Sequence, residues 1–326
     1  MNSTTSTAPS DHAPIDLDTT LGAAFFGFCA GAILFGITLR QAYQYYTTNL
    51  HDSILRKLII AIVCLLDASH LVFSMYMVYS FIIQLLGYSE AEVKVLWSVK
   101  ALATTQTILI VFVQGYYLSQ IWRLSGNVLL GRKLAVAAQA FVIFIVLLAI
   151  VVAIIFLSQL QKVADILSFS AGFEYVVYLG FGTTALIDCA IAAAMCLLLH
   201  KSSAGTLRSE TVLESLIQYF IGTGLLTSFA AIMVIVLYIA RPRTLLYLGM
   251  EFSVTRLYAN SILAMFNARQ RLRGRFDESI EIKLPSNVFF GEPDSMAQSL
   301  IGAPFSPGSP TKVDKVLAVA CVRVYL

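Results

Sequence analysis

Charge is scarce in this sequence. Lys, Arg, Asp and Glu together make up 13% of its 326 residues, about half the share found in soluble domains. A soluble chain of this length needs far more polar surface, so the shortage excludes a water-soluble enzyme, a nucleic-acid binder and a disordered protein. Proline is absent from residue 15 to residue 241, so no helix breaker interrupts a long apolar run there. Cysteine offers no staple for polar loops: Cys29, Cys64, Cys189 and Cys196 fall in apolar runs and Cys321 in the tail, so no loop disulfide is expected. The first 20 residues hold Asp11, Asp16 and Asp18 but no Lys or Arg. A cleavable signal peptide starts with a basic stretch, so the first apolar run is expected to serve as its own uncleaved anchor.

What the sequence has is apolar length, with 58% of residues hydrophobic. A membrane-crossing helix needs about 20 mostly apolar residues. Seven runs meet that rule: Leu21–Leu39, Lys57–Ser80, Val95–Trp122, Leu134–Leu157, Phe173–Leu199, Glu214–Ile239 and Leu245–Asn267. Trp97 and Trp122 bracket the third run, 25 residues apart, or ~37 Å along a helix, which places one indole near each headgroup layer. The expected fold class is an all-α integral membrane protein, a seven-transmembrane-helix bundle over residues 21–273. A short outer segment (1–20) precedes it and a disordered tail (274–326) follows.

Orientation follows from the basic residues beside the runs. The first, third and fifth connections and the start of the tail hold twelve Lys and Arg, including Arg269, Arg271, Arg273 and Arg275. The opposite side holds four, Lys94, Lys162, Arg241 and Arg243. The N-terminus is therefore expected outside and the C-terminus in the cytosol. Asn2 opens an Asn-Ser-Thr glycosylation pattern on the outer side. Five of the eight prolines lie in the tail, where Ser309-Pro310 forms a short proline-directed phosphorylation pattern. The last 11 residues, Val316–Leu326, are apolar again but too short to span.

Ionisable residues within a membrane span are costly and face the bundle interior or a water-filled cavity. Asp67, Asp188 and Arg256 lie deepest, His70 is close behind, and Lys100 and Glu251 lie nearer the outer end. Arginine keeps its proton at any ordinary pH, so Arg256 needs a carboxylate, with Asp67 expected ahead of Asp188. Spacing puts Asp67, His70 and Ser74 on one face of the second run and Arg256, Asn260 and Asn267 on one face of the seventh. The network Asp67, His70, Asp188, Glu251, Arg256 and Asn260 has two readings, a polar pocket for a ligand or a set of contacts holding helices in register. Gly27 and Gly31 form a small ridge in the first run, and Gly222, Gly224 and Ser228 form another in the sixth. Such ridges let backbones approach closely.

Other sites are missing. The seventh run has no Lys for a retinal Schiff base, neither Asp67 nor Asp188 is followed by a GxGD partner, and only His70 among four histidines is deep. No metal ligand set, cofactor or catalytic group is indicated, so an enzyme is not expected.

Two stretches are distinctive: LIQYFIGTGLLTSFAAIMVIVLY in the sixth run and EFSVTRLYANSILAMFNARQRLR in the seventh. Thr223–Ser228 and Arg256, Leu257, Tyr258, Asn260, Ser261, Leu263, Ala264, Asn267, Ala268 and Arg269 resemble the marks of a large family of basidiomycete fungal membrane proteins known as a domain of unknown function. Phe266 departs where that family has Leu. The resemblance covers the fifth to seventh runs and implies a seven-span, outer-in layout with no assigned activity. The first functional expectation is a receptor-like or sensory protein with a polar intramembrane pocket, whose partners are the bilayer and a small ligand. A secondary transporter or channel and a purely structural membrane protein stand beside it. Plasma membrane and endomembrane are not distinguished, and neither is the oligomeric state.

The charge bias makes one prediction. In intact cells, a protease-cleavable tag after Gly274 should survive external protease and a tag before Leu21 should be cut. The reverse pattern would overturn the orientation.

Overall fold

The computed structural model describes residues 17–50, 52–85, 91–126, 132–162, 174–203, 210–240 and 246–281. Among them are seven α-helices and no strand: α1 (Leu17–Thr48), α2 (Ile54–Leu85), α3 (Ala91–Ser125), α4 (Arg132–Lys162), α5 (Glu174–Ser203), α6 (Glu210–Ala240) and α7 (Leu246–Glu281). Five of them, α1 to α5, contain stretches long and apolar enough to cross a membrane, and α6 adds a shorter apolar stretch, Gly224–Ala240. The chain is a multi-pass membrane protein. Helices suit that solvent because every backbone N–H and C=O is satisfied within the element.

Each helix packs on the next in sequence, and α7 returns to α1, so the ring closes. α3 also reaches across to α5 and α7, and α2 to α7. α1 and α7 run parallel, since Gly27, Leu34 and Gln41 meet Gly249, Asn260 and Asn267 in ascending order. α5 and α6 run antiparallel, since Ala185 and Ala192 meet Ser228 and Gly224.

Polarity is distributed inside out. Phe26, Ile33, Leu65, Phe144 and Leu186 are exposed on the outer faces of the helices, whereas Asp67, His70, Ser74, Thr255 and Arg256 are buried. α4 is at the apolar extreme, and only Val142, Ile145, Ala149 and Leu160 of it are buried. α7 is the opposite case: from Phe252 to Asn267 twelve of sixteen residues are buried, Thr255, Arg256, Ser261 and Asn267 among them, in the most polar helix of the chain. A search for apolar runs therefore sees α4 best and α7 worst. Trp97 and Trp122 both stand exposed on α3, as indoles do at a membrane interface.

The helices outrun the apolar stretches. α1 continues nine residues beyond Leu39 to Thr48, and its turn into α2 is clamped by polar contacts. Tyr45 donates to Asp52 at 2.6 Å, Asp52 holds Arg56 at 2.7 Å, and Lys57 donates to the Leu50 carbonyl at 2.8 Å. α7 runs to Glu281, so residues 274–281, expected to belong to a disordered tail, are helical. No proline interrupts the chain until Pro285, and these residues simply continue the helix they follow. Asn2, Ser309, Arg241, Arg243 and the apolar end 316–326 lie outside the described residues.

The glycine ridge of α1 faces α7. A Cβ on Gly27 would overlap the backbone of Gly249, and one on Gly31 would sit 3.2 Å from the Phe252 carbonyl oxygen. On the same helix, Gly22 and Gly36 have open space. In α6, a Cβ on Gly224 would sit 2.8 Å from the Ala192 methyl, so this second ridge brings α6 against α5.

Gly27→Ala should therefore push α1 from α7 and lower stability by about 1–3 kcal/mol, as overpacking does. Gly36→Ala should leave stability unchanged or raise it by up to about 1 kcal/mol, because glycine inside a helix is itself unfavourable. Thermal unfolding of both variants in detergent separates the two effects, and equal midpoints would place the close approach elsewhere.

Candidate functional site

The deepest polar group joins α2 to α7. Arg256 donates from one terminal nitrogen to the Asp67 carboxylate and, at 2.7 Å, to the Asp67 carbonyl. Both residues are essentially inaccessible, and the Phe35 ring of α1 lies 5.8 Å from the guanidinium carbon. Asp67 Oδ2 and Arg256 Nε have no hydrogen-bond partner among the described residues. The pair is therefore neutral overall but incompletely satisfied. One turn along α2, His70 Nε2 lies 3.1 Å from the Thr255 hydroxyl of α7, and Nδ1 lies 3.4 Å from Ser74 Oγ. Ser74 donates its single proton to the His70 carbonyl at 2.7 Å. His70 thus ties α2 to Thr255 of α7, and its ring also faces Gln106 of α3.

A second polar cluster joins α3, α5 and α7 around Asp188. Gln114 donates to one carboxylate oxygen at 2.9 Å, and the Tyr258 hydroxyl donates to the other. Nearby, Tyr117 and Ser261 share a hydrogen bond at 3.0 Å, and Ser261 donates to the Tyr258 carbonyl. The third set is a seam between α1 and α7. Asn260 donates to the Leu34 carbonyl at 3.1 Å and Asn267 to the Gln41 carbonyl at 3.0 Å. Donors and acceptors are each seven residues apart, so two parallel helices present the same contact once per two turns.

A cavity of about 60 Å³ lies among α3, α4, α5 and α7. Its walls are mostly apolar, including Ile110, Val111, Val152, Phe156, Phe181 and Ile187. Its polar groups are Gln106, Thr107, Gln114, Thr183, Thr184 and Glu251. At about 10–15 Å³ per water-sized position, it has room for roughly four to six heavy atoms. Gln114 is shared, because it lines this cavity while donating to Asp188, which lines a second cavity of about 20 Å³ with Tyr117, Thr227 and Tyr258. Among the described residues, no three His, Cys, Asp or Glu side chains are grouped to hold a metal ion.

The six residues read from the sequence as one network thus occupy four places. Asp67, His70 and Arg256 lie together between α2 and α7, and Asp188 sits in the α3–α5–α7 cluster. Asn260 belongs to the α1 seam, and Glu251 stands alone on the cavity wall. Gln106, Gln114, Tyr117 and Thr255 were not anticipated, because none of them carries a charge and, unlike Ser74, Asn260 and Asn267, none was marked by helical spacing from a charged residue. Deep amides in a span would have been a signal, since α3 carries two of them on the cavity side.

Residues 184–271 match a family described as a family of unknown function, DUF6534. The matched stretch runs from the middle of α5 through α6 into α7 and covers about a quarter of the chain. It includes Asp188, Glu251, Arg256 and Tyr258, but not Asp67, His70, Gln106 or Gln114. A comparison with curated proteins finds no match.

The half-satisfied ion pair predicts a sharp double-mutant result. Arg256→Leu leaves Asp67 buried and uncompensated, with an expected loss of about 3–5 kcal/mol. Replacing both residues, Asp67→Leu with Arg256→Met, removes two desolvated charges and should return stability to the parent level or above it. Thermal unfolding of the four proteins reads the coupling. Additive losses would mean the two groups do not act as a pair.

Proposed function

We propose that the protein is a receptor-like or sensory protein of seven membrane spans, without catalytic activity, whose N-terminus lies outside and whose ligand pocket is the cavity among α3, α4, α5 and α7. The observation that carries this reading is the cavity's position. Part of its wall, Phe156, Gly180 and Glu251, lies within two turns of the ends where α5 and α7 begin and α4 finishes. The twelve-to-four bias of basic residues puts those ends on the outer side. Its floor, at Gln114, touches the Asp188–Tyr258 pair that ties α3, α5 and α7 together. A ligand in the cavity thus sits against the hydrogen bonds that set the spacing of three helices. The partners in this reading are the lipid bilayer and a small ligand.

A second reading, a secondary transporter, is favoured by one feature. The Gln114–Asp188 hydrogen bond links a residue of one cavity wall to a residue of the other. In this reading an alternate state breaks that hydrogen bond and connects the two cavities.

Accessibility distinguishes these readings. In a protein with its five native cysteines replaced, Thr184→Cys places a thiol on the cavity wall. A membrane-impermeant thiol reagent should modify it from the outside only. Modification from either side would favour the transporter. No modification from either side would overturn the pocket reading and leave a structural role.

A further inference from the structure

The cavity among α3, α4, α5 and α7 has polar residues in its wall, but most of them are committed to the fold. Gln114 donates its amide to Asp188, and the Thr107 hydroxyl donates to the Ala103 carbonyl at 2.8 Å. Gln106 is only 4% exposed, its carbonyl oxygen is closed to water, and its side chain meets His70. Thr183 and Thr184 lie on a helix, where a hydroxyl can return its proton to a carbonyl of the preceding turn, as Thr107 does. Glu251 is half-buried, five residues into α7, and so stands toward one end of the space. The rest of the wall is hydrocarbon and aromatic, from Ile110, Val152, Phe156, Phe181 and Ile187. Small residues bound the space as well: Ala149 and Ala153 stand one turn apart on α4, and Gly180 faces them from α5. A Cβ on Gly180 would already come within 3.2 Å of the Phe156 ring. Such a wall is short of dispersion contacts, because a void leaves the atoms that line it without partners on one side.

We propose that this cavity binds a free, uncharged hydrocarbon molecule of about four to six carbons, held by shape and dispersion. The assignment rests on the pocket reading above and names its ligand class. Three features fix the class. The occupant is uncharged, because an ion against hydrocarbon loses a hydration shell that such a wall does not replace. It carries no strong hydrogen-bonding group, because the amides and Thr107 are engaged and a buried donor or acceptor left unmet is unfavourable. It is short, because the space holds roughly four to six heavy atoms. The end of a lipid acyl chain shares this chemistry. A free molecule fits better, because side chains of four helices bound the space and leave it only that long.

The test uses the full-length protein in lipid nanodiscs, with Thr184→Cys as its only cysteine, and reads the rate at which the impermeant thiol reagent modifies it. The probe is n-pentane. n-Butanol, n-butylammonium and n-butyrate are similar in length but polar, cationic and anionic, and n-decane is apolar but too long. n-Pentane should slow labelling saturably and at least tenfold. At matched bilayer concentration, each of the other four should protect at least tenfold less. Ala153→Leu fills the space from α4, so it should slow labelling by itself, and n-pentane should then add less than about twofold. If Ala153→Leu does not fold, the comparison of the five probes on the parent decides the question. Equal protection by n-butanol or by either ion overturns the assignment, as does full n-pentane protection in a folded Ala153→Leu variant. Equal protection by n-decane also overturns it, because the space then takes the end of a longer chain, such as a lipid tail. A thiol labelled from outside at a rate that n-pentane leaves unchanged keeps the pocket reading and removes the hydrocarbon. A thiol that is never labelled removes both.

Discussion

One charged side chain constrains the rest of the bundle. Arg256 cannot shed its proton, and a guanidinium in the middle of a bilayer without a counterion is costly by several kcal/mol. It must therefore be enclosed by protein and supplied with a carboxylate at the same depth. Asp67 of α2 meets both needs, and Phe35 of α1 adds a ring face. Once that pair is made, α7 is held in the interior and α2 is fixed in height and rotation against it. The other contacts of α7 are consistent with this position. It bonds α2 through Thr255, α5 through Tyr258, α3 through Ser261 and α1 through Asn260 and Asn267. A helix that sends a polar side chain to four neighbours can only be central.

Lipid supplies little driving force between helices, because its tails are as apolar as leucine. Close backbone approach and interhelical hydrogen bonds carry the packing instead. Both occur along α1 and α7, where Gly27 and Gly249 let the chains touch and two asparagines bond carbonyls one heptad apart. The α5–α6 contact repeats the device, with Gly224 against Ala192 and Ser228 donating to the Ala185 carbonyl at 3.3 Å. α4 has less of both, with one hydrogen bond from Lys100 of α3 to the Gln161 carbonyl and Gly180 of α5 close to Phe156, and otherwise meets its neighbours through apolar side chains. The cavity lies along its flank, where Ala149, Val152, Ala153 and Phe156 form part of the wall.

The arrangement separates polar groups that hold the fold from polar groups that are free. Asp67, His70, Asp188 and Asn260 are committed to helix contacts. Glu251 is not, and it lines the cavity wall. Gln114 lies on the boundary between the two sets, touching the cavity and completing Asp188 at once. A ligand that moved Gln114 would disturb the α3–α5–α7 cluster without any contact to α6 or α7 beyond Glu251.

Composition alone settled the solvent. A chain with this little charge and this much unbroken apolar length belongs in a membrane, and the positions of seven helices follow from where the runs lie. The requirement that Arg256 find an acid was also legible, because charge burial is expensive whatever the fold. Other features depended on rotation about helix axes, which spacing constrains only within one helix. Arg256 and Asn260, four residues apart and expected on one face, diverge to different partners, α2 and α1, because α7 packs against both of those helices. Glu251 separates from the other charges because its end of α7 meets the cavity rather than α2. Gln106 and Gln114 carried no charge to mark them, and only the packing of α3 against α4 and α5 reveals that they line a space. Sequence determined which groups had to be buried; tertiary packing decided which of them met, because meeting requires matched depth and rotation on two helices at once.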